Sequence, residues 1–141
     1  MGNFNLKKRH AALHVNIKFT FLKDKMKQII CIHEYVLKSG VTGKDFEQAI
    51  KTAETEGLFN LPGLDNHYFL KGFKGKRRGH YAAVWIYRDK QVWEKLWGMA
   101  DNPVGKENYP ENWKRWENDI LVRFIEGDPD KISYTSYEVI E

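Results

Sequence analysis

The stretch from Gly79 to Gly98, GHYAAVWIYRDKQVWEKLWG, constrains the fold more than any other part of the chain. His80 to Tyr87 is rich in aromatic and β-branched residues and reads as a strand. Arg88 and Asp89 break the pattern. Asp89 suits a helix N-cap, because its carboxylate can accept from the open N–H groups of the first turn. Val92, Trp93, Leu96 and Trp97 then follow at helical spacing, and Gly98 supplies a stop. A strand that turns so tightly into an aromatic helix must lay that helix back across its own sheet. Trp85, Trp93 and Trp97 are therefore placed at the centre of the core.

The flanking segments complete a pattern. Ile29–Leu37 reads as a strand apolar on both parities, with Ile30, Ile32 and Val36 on one and Ile29, Cys31, Tyr35 and Leu37 on the other. A strand of that kind belongs in a sheet covered on both sides. His33 and Glu34 interrupt it and, being consecutive, point to opposite faces, so only one of them can serve a given pocket. Thr42 and Asp45 have capping-box spacing ahead of Phe46, Ala49, Ile50 and Ala53, one helical face that Gly57 ends. Pro62-Gly63 predicts a sharp bend, His67–Phe73 a second strand, and Lys74–Gly79 a solvated hairpin loop. Pro110 opens another helix, whose buried face is Trp113, Trp116, Ile120, Leu121 and Phe124. Ile132–Ile140 closes the chain as a strand. The order β-α-β-β-α-(α)-β gives an α+β, ferredoxin-like βαββαβ fold, with a four-stranded antiparallel sheet and its helices on one face. The apolar parity left over then calls for a cover, most economically a second copy of the protein.

At 141 residues the chain fits one domain, at residues 29–141, preceded by a basic N-terminal extension at residues 1–28. Residues 1–27 set seven lysines and arginines against Asp24 alone, whereas the whole chain carries only +4, so the body is mildly acidic. Val15, Ile17, Phe19 and Phe21 alternate as a short strand would; the charge shift equally fits an accessory, dispensable segment before Met26. The apolar run near the N-terminus is too short and polar to span a membrane, and His14, Asn16 and Lys18 break it as a signal peptide. The lone Cys31 excludes an internal disulfide and fits a reducing, cytoplasmic setting as a buried, inert thiol.

Walker, GxSxG, HExxH and dinucleotide-binding patterns are all missing from the sequence. The five histidines lack metal-ligand spacing, so neither a metal nor a cofactor is expected. His33 is the candidate catalytic residue, an acid/base or orienting group on a core strand. Tyr35, His80, Tyr81, Trp85, Tyr87, Trp93 and Trp97 are the candidates to line a cavity for a flat organic ligand.

The segment from Tyr81 to Trp97 resembles the strand–corner–helix signature of the dimeric α/β-barrel superfamily, notably its antibiotic-biosynthesis-monooxygenase-like domains. There an apolar strand ends in an aromatic, a Ser or Asp corner follows, and an aromatic or leucine-rich helix begins; Tyr87, Asp89, Trp93 and Trp97 occupy those places. Leu61-Pro62-Gly63 is similar to that family's usual link. The resemblance implies a homodimer with a cavity between sheet and helices in each subunit, and a cofactor-independent, monooxygenase-like reaction on a small aromatic or conjugated compound. Haem degradation, which some members perform, lacks support because the first strand holds no asparagine. A non-catalytic ligand-binding or structural dimer is the competing reading. RNA-recognition domains share the element order and also place aromatics on the third strand. However, Arg78-Gly79-His80-Tyr81-Ala82 fails their register, and nucleic acid is not the expected partner.

Overall fold

The computed structural model describes residues 27–141, so most of the expected N-terminal extension, including Val15–Phe21, lies outside the described residues. Strands β1 (Ile29–Tyr35), β2 (Leu64–Lys71) and β3 (Tyr81–Tyr87) alternate with helices α1 (Gly43–Thr55) and α2 (Lys90–Trp97). Two short strands, β4 (Gly98–Met99) and β5 (Asn102–Pro103), form a small hairpin. Helix α3 (Glu111–Arg115) runs on through a π-helical turn at Trp116–Ile120 and a 3-10 turn at Leu121–Arg123, and β6 (Tyr134–Glu138) closes the chain. The main sheet has the order β2-β3-β1-β6 with every pair antiparallel. This is the ferredoxin-like α+β arrangement that the sequence pattern predicts.

Local chemistry accounts for the element ends. Thr42 Oγ1 accepts from the Asp45 N–H at 3.1 Å, and Asp89 Oδ1 accepts from the Val92 N–H at 2.9 Å, so both helices start at side-chain caps. Gly98 stops α2 at φ +82°, a left-handed backbone that glycine adopts without strain.

The structure moves several boundaries. β1 stops at Tyr35 rather than Leu37, and Leu37 instead bridges Ile125. β2 spans Leu64–Lys71 rather than His67–Phe73. The turn that begins at Gly72 carries Phe73 out to solvent, where it is 86% exposed. β6 is shorter than Ile132–Ile140, and the β4–β5 hairpin adds two short strands that the predicted element order lacks.

Parity settles the faces. Ile29, Cys31 and Tyr35 of β1 and Tyr81, Ala83, Trp85 and Tyr87 of β3 are buried beneath the helices, together with Phe46, Phe59, Trp113 and Trp116. The other face carries Ile30, Ile32, Val84 and Ile86 in the middle, with half-exposed Tyr68, Leu70 and Tyr137 toward the edges. No described helix covers it.

Gly63 shows how closely the β2 entry packs on α2. Its φ is +78°, and a methyl group there would lie 2.5 Å from Val92 Cβ. Gly63→Ala should therefore lower stability by about 2 kcal/mol, combining backbone strain with a clash. Urea unfolding of the variant against wild type checks this, and an unchanged midpoint would refute it.

Candidate functional site

A half-open cavity of about 500 Å³ lies between the sheet and the helices, at the end of the sheet where β1 begins and β3 finishes. Strand residues Cys31, His33, Tyr87 and Ser136 form its floor. Trp93 and Trp97 of α2 form one wall, and Trp113, Glu117 and Leu121 the other. The rim comes from the β4–β5 hairpin and the segment after it, faced by Asp130. Such a volume accommodates a molecule of a few fused rings.

The structure brings four of the expected residues to this cavity: His33, Tyr87, Trp93 and Trp97. Trp85 stands directly behind His33. It does not line the cavity, and neither do Tyr35, Tyr81 and His80. Tyr35 is fully buried at the opposite end of β1, paired with Tyr81 and edge-on to Phe46, and among the described residues its hydroxyl meets no hydrogen-bond partner within 3.5 Å. The Tyr81 hydroxyl donates to Glu47 Oε2 at 2.7 Å, and its pKa is pushed up to about 12, by burial first and by that carboxylate second. His80 sits in the β2–β3 turn, where its carbonyl accepts from the Gly72 N–H. The register explains the division, since Ile29 pairs with Tyr87 and Tyr35 with Tyr81, so these tyrosines mark opposite ends of the sheet.

Of the adjacent pair on β1, His33 faces the cavity. Glu34 faces away, where its carboxylate accepts from Arg77 Nε at 2.7 Å and from the Ser133 hydroxyl at 3.0 Å. Those bonds, the Arg77 one foremost, hold the Glu34 pKa below the usual carboxylate range.

The indole N–H of Trp85 donates to His33 Nδ1 at 3.2 Å. Indole nitrogen can only donate, so Nδ1 must be the acceptor and the neutral ring carries its proton on Nε2. Burial lowers the His33 pKa to about 4, which leaves the ring neutral around pH 7. Trp113 and Tyr134 approach it edge-on at 5.8 and 5.9 Å between centroids. Among the described residues nothing hydrogen-bonds Nε2, so an N–H donor is left for a bound molecule.

Tyr87 supplies a second donor. Its oxygen accepts from Trp97 Nε1 at 3.2 Å, which leaves its own O–H free to turn toward the cavity, and burial raises its pKa, keeping it a phenol. Cys31 Sγ lies 3.0 Å from Ser136 Oγ, and burial raises the thiol's pKa, so it is an unreactive part of the floor. No cluster of potential metal ligands occurs among the described residues.

Glu117 is the site residue that sequence reading missed. It is only 7% exposed, lies on the π-helical turn and lines the cavity. Burial raises its pKa to about 7; Asp130 and Asp128 push the same way, while Lys106 and Trp113 oppose. A signal was present, because Glu117 stands four residues after Trp113 and one after Trp116, on the helical face otherwise made of core residues.

No protein-family model matches the sequence, and no curated protein does. Solved structures do match. A dabb family protein with a ferredoxin-like fold from Mesorhizobium loti superposes with a TM-score of 0.55 at 14% identity, over 79% of this chain and 95% of that one. The chain shares its ferredoxin-like fold. The hydroxynitrile lyase of Passiflora edulis gives a TM-score of 0.55 at 12% identity, over 82% of this chain and 95% of its own. A mutant of SnoaB, a cofactor-independent oxygenase from Streptomyces nogalater, gives 0.51 at 9%, over 82% and 95%. The fold is thus the ferredoxin-like one that the Tyr81–Trp97 resemblance implies. The matched structures include an oxygenase and a lyase, so the fold leaves the chemistry open.

Glu117 ties the site to stability. A carboxyl whose folded pKa exceeds its unfolded value favours folding at low pH, and that contribution is lost as pH rises from about 4.5 to 7. Glu117→Gln should therefore melt above wild type at pH 8 and match it near pH 4. A gap of about 3 kcal/mol is expected at pH 8, at about 1.4 kcal/mol per pKa unit. Thermal melts at the two pH values test the sign.

Proposed function

We propose that this chain binds a small aromatic or otherwise conjugated molecule in the cavity and acts on it as a homodimeric, cofactor-independent, monooxygenase-like enzyme. The observation that carries the reading is the composition of the cavity: aromatic walls around a floor that offers two oriented donors, His33 Nε2–H and the Tyr87 hydroxyl. Aromatic rings bind a flat molecule by stacking and edge contacts. The donors fix its oxygen and stabilise negative charge that develops there as a proton leaves. In the overall reaction a substrate CH₂ becomes C=O, with O₂ supplying that oxygen and its second atom leaving as water.

A cofactor-independent oxygenase on the same fold supports the class of chemistry without fixing the substrate. Ligand binding without turnover is the competing reading, and the same donors would serve it. RNA binding finds little support. Its third-strand aromatics would have to lie on an open sheet face, whereas Tyr81, Trp85 and Tyr87 are all buried beneath the helices.

Homodimerisation rests on the uncovered sheet face. Ile30, Ile32, Val84 and Ile86, with Leu70, Tyr68 and Tyr137 beside them, form a contiguous apolar surface that no described helix covers, the kind of surface that marks an interaction site. Sedimentation at micromolar concentration should give twice the 16.7 kDa chain mass, and Ile32→Lys should halve it. A wild-type species of 16.7 kDa would remove the dimer from the proposal.

The binding test uses His33→Asn, whose amide oxygen can still accept from Trp85 while the Nε2–H donor is lost. Tyr87→Phe removes the second donor. Quenching of tryptophan fluorescence by a panel of quinones, phenols and haem is the measurement. Each variant should weaken binding of a quinone or phenol about 10-fold, as the loss of one hydrogen bond of about 1 to 1.5 kcal/mol implies. If no member of the panel quenches wild type, the small-molecule reading falls.

A further inference from the structure

The donors of the floor hold an oxygen but cannot take a proton, since His33 Nδ1 is occupied and Tyr87 is kept a phenol. The opposite wall holds a group that can. Resting on the reading of the cavity as a substrate site, we infer that Glu117 is its proton acceptor, removing an acidic C–H or O–H proton from a conjugated ketone or phenol whose oxygen lies on His33.

Three observations carry this. Glu117 lines the same cavity as His33, and Trp113, one turn before it, places its ring 5.8 Å from the imidazole. Its carboxylate forms no salt bridge among the described residues, because Lys106 is drawn instead to Asp128 at 3.4 Å and Asp130 at 3.9 Å. Glu117 also lines a second, smaller cleft of about 230 Å³ with Lys106, Asp128 and Asp130. It therefore stands between an aromatic chamber and a polar opening to solvent. A proton taken from substrate on one side can leave on the other.

The step balances without any further reactant. The substrate's C–H bond breaks, its proton forms an O–H bond on Glu117, and the electron pair moves through the conjugated system onto the oxygen that His33 Nε2–H contacts. The charged and titratable groups around Glu117 are Asp128, Asp130, Lys106 and Tyr109, with Glu107 and Lys114 in the smaller cleft, and Cys31, His33, Tyr35, Tyr87 and Tyr134 on the sheet. Burial and the two aspartates keep the carboxyl's pKa about 7, where a base is both available and strong enough to act.

The test uses 1-tetralone as probe, a conjugated ketone whose protons beside the carbonyl exchange slowly in neutral D₂O. Its binding is read by quenching of tryptophan fluorescence, and exchange of its α-protons by NMR. Wild type should bind it and accelerate exchange, with a rate that rises through pH 7. Glu117→Gln should still bind it but lose about 100-fold or more of the acceleration. Asp130→Asn, which removes a like charge beside Glu117, should shift the midpoint of the pH profile downward, an effect that a merely structural carboxyl would not give. Binding with no acceleration by wild type, or with equal acceleration by Glu117→Gln, overturns the assignment of Glu117 alone. Failure of wild type to bind overturns the substrate-site reading, and this assignment with it.

Discussion

The hydrogen bond from Trp85 to His33 is the contact on which the rest of the structure depends. Trp85 is wholly buried, ringed by Phe59, Phe69, His67 and Trp113 with centroids 5.1 to 5.6 Å away. An indole N–H left unpaired in such a place would destabilise the fold by about 1–3 kcal/mol. The acceptor comes from the neighbouring central strand, so the bond ties β3 to β1 on the face that the helices cover. It also decides what His33 can do. With one nitrogen accepting from indole, the other is fixed as a donor, and the ring that completes the core presents N–H to the cavity. Stability and site chemistry meet in one bond.

The two groups with the largest mechanistic weight are shifted in opposite directions by the same cause. Burial disfavours charge, so the imidazole's pKa falls to about 4 and the Glu117 carboxyl's rises to about 7. Near neutrality the imidazole is uncharged, Tyr87 is a phenol, and Glu117 is divided between its two forms.

Much of the fold was legible in the sequence because the signals were local. The caps at Thr42 and Asp89, the stop at Gly98 and the alternation in Tyr81–Tyr87 each act within a few residues, and each is found where the pattern placed it. The site was legible only in part. His33, Tyr87, Trp93 and Trp97 converge, but Tyr35, His80 and Tyr81 lie at the other end of the sheet, because strand register, a non-local property, decides which end of a strand meets a cavity. Phe73 read as strand on its apolar character, although the turn at Gly72 ends the ladder first. Glu117 differs: its spacing put it on the buried face of its helix, but a glutamate's charge favours a solvated position, and only tertiary packing shows that the carboxylate is enclosed.

The rim of the cavity has a consequence for how such a protein can change over generations. Its floor is built from sheet residues held by ladder pairing and by one another's side chains, so replacements there that change size or shape reach the core. The mouth belongs to the small β4–β5 hairpin and the segment after it, where Met99 is half exposed and the backbone pairing is confined to two residue pairs. Substitutions at Met99, Ala100 or Val104 alter the width and greasiness of the entrance while leaving the sheet untouched. On the proposed reading, descendants of this chain can thus drift from one guest molecule to another through the doorway, with the interior inherited intact.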